Sequence, residues 1–119
     1  EAFTKLGLHQ SLANYYLALA TVAQGDMQNA YRYLDRLMLA HPLWIGGWEL
    51  LAEWSGQTAD LSTHRLAMAK WHLLKGEFKQ AKEQALLGKQ LSTTSAMQDQ
   101  QLDDILKQAR ELIQTAEGL

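Results

Sequence analysis

Apolar residues recur at steps of three and four along nearly the whole chain, a spacing that lines side chains up on one face of an α-helix. The pattern predicts six helices, at about residues 10 to 24, 27 to 40, 44 to 57, 61 to 75, 78 to 91 and 96 to 117, joined by short connections. One proline, Pro42, interrupts the sequence, and strands have almost no place in it. The fold class read from the pattern is all-α.

The stretch from Gln24 to Pro42 explains how such helices are paired. Met27, Ala30, Leu34 and Leu37 form an apolar stripe on the second predicted helix, with Gln28, Asn29, Arg32, Asp35 and Arg36 elsewhere on it. Gly25 suits the left-handed conformation that stops the preceding helix, and Asp26 can accept from the free N–H groups of the next. Ala30 is small enough for two antiparallel helices to approach closely, and Pro42 ends the unit. The same opening returns as Gly76-Glu77, followed by Ala81, Ala85 and Gly88. The two glycines are 51 residues apart, one and a half times a helical-repeat period of about 34. Trp48, Leu51 and Ala52 supply the half step as the start of a first-type helix. The helix from about Leu61 then either doubles as the first helix of the next unit or is paired irregularly. The last helix carries Leu102, Ile105, Leu106, Ala109, Leu112, Ile113 and Ala116 on one face, behind a capping box formed by Ser95 and Gln98. A long helix with a polar back is what the end of a helical stack requires.

A chain of 119 residues is one domain's worth, and 47% hydrophobic with 20% charged residues is ordinary for a folded protein. The net charge of −2, with Lys and Arg spread along the chain, gives no pull toward nucleic acid. No apolar run approaches the roughly 20 residues of a membrane span. Cysteine is absent, so packing rather than disulfides must hold the fold, and the redox compartment is not legible. Glu1 in place of an initiating Met reads as a processed chain or a fragment.

Reaction chemistry is mostly missing from the pattern. There is no HExxH, GxSxG, phosphate loop or Cys/His metal spacing. His64 and His72 stand eight apart, whereas a helical metal pair prefers about four, so the histidines read as hydrogen-bonded or partly exposed structural residues. Glu49 and Glu53, at i and i+4, read first as a solvated face and second as a receptor for a basic partner segment. Trp44, Trp48, Trp54 and Trp71 read mainly as packing residues, and Tyr15 as the best aromatic anchor. Gly46-Gly47 inside the third helix implies either a close backbone approach or a late helix start, the latter being the simpler.

Through Gly25, Asp26, Ala30 and Pro42, then Trp48, Leu51 and Ala52, then Gly76, Phe78 and Ala81, the chain resembles tetratricopeptide repeat (TPR) proteins. It departs from them at Thr21 and Ser55, where the pattern has Tyr, at Ala85, where it has an aromatic, and in lacking a final proline. The resemblance implies one TPR-like domain over 1–119, a stack of antiparallel helix pairs. Its overlapping units lie at about 11–42, 44–75 and 61–91, with a cap helix at about 96–117.

From Asn14 onward, the order of "WELLAEW", "HRLAMAKWHLLKGEFKQAKEQALLGKQL" and "ILKQARELI" also looks like the C-terminal repeat domain of BepA-like periplasmic zinc metalloproteases. That likeness implies a periplasmic parent whose separate N-terminal domain holds the zinc, with no cofactor in this chain and no catalysis by it. The implied partners are protein or peptide segments, outer-membrane proteins or their assembly machinery among them. Inner-face repeat positions nominate Tyr15, Leu19, Glu49, Glu53 and Lys70 as the partner-binding groove. The rival readings are an enzyme in its own right, a free-standing cytoplasmic scaffold, and self-association.

Overall fold

The computed structural model describes residues 5–118. Every regular element among them is an α-helix, and helices pack on their neighbours within each compact unit, consistent with a TPR-like fold. The six are α1 (Lys5–Ala23), α2 (Met27–Ala40), α3 (Ile45–Gln57), α4 (Leu61–Leu74), α5 (Phe78–Lys89) and α6 (Ala96–Glu117). Five begin within a residue of the positions expected from periodicity. The exception is α1, which starts at Lys5 rather than about residue 10 because nothing upstream of Gln10 breaks a helix outright; Gly7 alone costs about 1 kcal/mol relative to Ala.

The chain forms two compact units, Glu1–Gly47 and Trp48–Leu119. In the first, α1 packs against α2 across a turn built as the sequence requires. Gly25 has φ +79°, its N–H donates to Val22 O and that of Asp26 to Thr21 O, so two terminal carbonyls of α1 are satisfied. Asp26 caps α2 by accepting from the Asn29 N–H at 3.3 Å. Ala18 of α1 and Ala30, Leu34 and Leu37 of α2 are buried.

The second unit repeats that turn twice. At Gly76 (φ +80°) the N–H groups of Gly76 and Glu77 reach Leu73 O and His72 O. At Ala59 (φ +58°) those of Ala59 and Asp60 reach Gly56 O and Ser55 O, and Asp60 caps α4 through the Thr63 N–H. This third turn is invisible to a search for glycine. It nevertheless lies 34 residues after Gly25 and 17 before Gly76, so all three fall on one half-period.

The ambiguity over the fourth helix is thereby reduced. By the turn frame α4 follows α3 as a second helix, held there by the His64 imidazole against Ala52 O at 2.8 Å. It also packs against α5 and, more lightly, α6, so it serves as first helix for the next pair. Leu66, Ala69, Leu73, Ala81, Ala85, Leu102, Ile105, Leu106 and Ala109 make the core of these three helices. Helix α6 starts with the expected capping box at Ser95 and Gln98. Its apolar stripe outruns the core: Leu112 and Ala116 are exposed.

Candidate functional site

The first unit holds an apolar pocket of about 400 Å³, lined by Ser11, Leu12 and Tyr15 of α1, Leu37 of α2, and His41 and Trp44 of the α2–α3 connection. Its geometry follows from the local sequence. Helix α2 ends at His41, whose N–H donates to Leu37 O at 2.8 Å, and Pro42 cannot continue the helix. The chain turns so that the Trp44 N–H reaches His41 O and the Gly47 N–H reaches Trp44 O, both at 3.1 Å.

Trp44 therefore stands just before α3 instead of within it, and its indole lies over the first turn of that helix. A Cβ at Gly46 would sit 2.8 Å from Trp44 Nε1; one at Gly47 would sit 2.8 Å from Trp44 Cε3 and 3.1 Å from Met38 Cγ. The two glycines mark a close approach, and the late-start reading is corrected on that point: α3 begins at Ile45 and contains both.

Tyr15 meets the edge of Trp44, with ring centroids 5.9 Å apart and planes at 75°, a favourable aromatic arrangement. Ser11 Oγ and His41 Nε2 are 2.7 Å apart at the polar side of the pocket. Neither an acid nor a Lys or Arg lines it. Such a pocket suits an uncharged apolar or aromatic side chain, with a hydroxyl and an imidazole as its polar neighbours.

Of the nominated groove residues, Tyr15 lines this pocket. Leu19 lies one turn further along α1 and is partly exposed, outside the lining. Glu49 and Glu53 are exposed one turn apart on α3, and Lys70 is half-buried on α4, all three in the second unit. None of these three forms an ion pair among the described residues. The five thus divide between the units, Tyr15 and Leu19 in the first and the rest in the second. Ser11, Leu12, Leu37, His41 and Trp44 were missed as site residues. The available signal was two glycines directly after a tryptophan, which is uncommon inside a helix unless something lies on it.

Reactive groups elsewhere are engaged structurally. His72 Nδ1 contacts Glu77 Oε1 at 2.7 Å, and the Lys75 ammonium lies 3.9 Å from the centre of the Trp71 ring. Lys89 bridges Asp103 at 2.7 Å and Asp99 at 3.0 Å, and these hydrogen bonds, that to Asp103 first, raise its pKa above the ordinary 10.5. Among the described residues no three His, Asp or Glu side chains converge to hold a metal, and no helix is long and apolar enough to cross a membrane. No protein-family model, curated protein or solved structure matches the chain.

Proposed function

We propose that this chain is a protein-interaction module that captures a segment of another protein through an apolar or aromatic side chain. The observation that carries this reading is the neutral, aromatic-walled pocket at Tyr15 and Trp44. Apolar walls give affinity by desolvating the incoming side chain, while Ser11 and His41 can meet the polar backbone beside it. Exposed Glu49 and Glu53, in the second unit, form by themselves a face that attracts a basic segment. On the sequence resemblance to BepA-like proteins, the module belongs to a periplasmic zinc metalloprotease or chaperone acting in outer-membrane protein assembly or quality control. The zinc and the proteolysis then reside in a separate N-terminal domain.

The test is a binding titration with peptides tiled from an outer-membrane β-barrel protein. Peptides with an aromatic anchor are expected to bind, and Tyr15→Ala and Trp44→Ala each to cost about 1 to 2 kcal/mol of affinity without loss of helicity. Glu49→Lys with Glu53→Lys should weaken basic peptides alone. Saturable binding that ignores Trp44 would remove the pocket from the account. Intact mass and peptide sequencing of the parent protein test the rest: an upstream HExxH domain supports the protease reading, and a parent without one leaves a free-standing scaffold.

A further inference from the structure

At the polar side of the pocket Ser11 and His41, both half-buried, bond to one another, with Ser11 Oγ 2.7 Å from His41 Nε2. While that bond holds, an apolar group entering the pocket leaves neither partner orphaned, and filling the pocket carries little polar cost. The arrangement suits an uncharged imidazole. Histidine is the side chain that changes charge in the mildly acid range, where the phenol of Tyr15, the other titratable group of the lining, does not.

The charged form has support of its own in the empty pocket. His41 is the C-cap of α2, where the helix dipole favours a positive charge, and water can reach the ring. A neutral apolar ligand displaces that water, and no acid in the lining replaces it. Proton and neutral ligand therefore oppose each other. Affinity for the ligand is full where the imidazole is neutral and falls as pH drops through the titration of the ring. A ligand that carries its own carboxylate supplies the missing counter-charge and reverses that order.

The elements around His41 add no charge that would mask the effect. Helix α1 has no Asp, Glu, Lys or Arg after Lys5, the last turn of α2 from Leu37 to Ala40 is uncharged, and so is the connection from Pro42 to Gly47. The nearest charged residues of α2, Asp35 and Arg36, do not line the pocket; the Arg36 guanidinium lies 5.6 Å from the centre of the Tyr33 ring. Burial raises the Asp35 pKa, so Asp35 enters the test as a control.

We propose that His41 determines which anchor the pocket accepts: an uncharged apolar group when its imidazole is neutral, and an apolar group bearing a carboxylate when it is protonated. This rests on the reading of the pocket as the binding site.

The experiment titrates the full 119-residue protein, isotope-labelled, with phenylacetamide and with phenylacetate at about pH 5.5 and about pH 8, following the Trp44 indole N–H resonance. Phenylacetamide should weaken roughly tenfold at the lower pH, and phenylacetate should tighten. His41→Gln, which keeps hydrogen-bonding groups without the titration, should hold phenylacetamide equally at both. His9→Gln and Asp35→Asn should leave the parent's pattern intact. Equal phenylacetamide affinity at the two pH values in the parent overturns the proposal, as does a pH dependence that survives His41→Gln. Phenylacetate weakening alongside phenylacetamide does the same. The inversion between the two probes is read in the parent alone, so the proposal stands or falls even where His41→Gln does not fold. No saturable Trp44 shift with either probe at either pH would instead remove the pocket itself as a binding site, and this inference with it.

Discussion

Helices α1 and α6 differ in how they face water. Helix α6 buries one stripe, Leu102, Ile105, Leu106 and Ala109, and turns Gln100, Asp104, Lys107, Gln108 and Glu111 outward. It can terminate a stack because only one of its faces needs covering. Helix α1 spends one apolar face on α2 and presents a second with no charged residue on it. The difference lies in side-chain chemistry: α6 has one apolar face and a polar back, whereas α1 has apolar residues on both sides.

The sharpest break of that comparison is one substitution made at both ends. Leu102→Ala removes a side chain packed among Ala81, Ala85 and Gly88 and should destabilise the second unit by about 2 to 5 kcal/mol, through lost transfer energy and the cavity left behind. Leu17→Ala removes a side chain that is 44% exposed on α1 and should cost less than about 0.5 kcal/mol. Urea melts of the two variants measure the ratio. Similar costs would mean that Leu17 is packed, and the distinction between the two helices would fail.

Much of this was legible beforehand, for physical reasons that differ by element. The helix pairs were readable because Gly25 and Gly76 announce left-handed turns and Ala30, Leu34 and Leu37 sit at helical spacing. The α6 cap was readable because Ser95 and Gln98 form a local motif. The Ala59 turn was hidden because an alanine occupies a conformation that a sequence rule assigns to glycine. The pocket was hidden for a different reason. It depends on the Trp44 indole folding back over Gly46 and Gly47, a contact that spacing alone does not distinguish from a helix that starts late. Tyr15 was nominated and lines the pocket, but its neighbours Ser11 and His41 come together across 30 residues of chain.

Turn geometry can be separated from packing with the three equivalent turns. A left-handed L-residue costs about 1 to 2 kcal/mol, whereas glycine in its place loses about 0.4 to 1 kcal/mol more to conformational entropy on folding. Ala59→Gly should therefore stabilise the second unit by about 0.5 to 1 kcal/mol. Gly25→Ala, where an added Cβ meets nothing within 4 Å, should destabilise the first by a similar amount through backbone strain alone. Thermal melts of the two variants should shift in opposite directions. A shift of the same sign would show that something other than the shared turn conformation sets the energy there.

The smallest effect concerns charge. Lys89 of α5 joins Asp99 and Asp103 of α6, while α1 carries no charged residue after Lys5 with which to form such a clasp. Because folding raises the Lys89 pKa, the clasp contributes in full below the unfolded value of 10.5 and is lost as pH rises through the higher folded value. Lys89→Met should lower the melting temperature slightly at neutral pH and low salt. The gap between variant and parent should narrow with added salt and close at strongly alkaline pH, where the parent has lost the same charge. Hydrogen exchange at neutral pH should place the loosening in α6 and leave α1 unchanged. A gap that persists unaltered at high salt and high pH would mean that the Lys89 stem packs α6 in place and its charge does not, leaving charge no part in what separates α6 from α1.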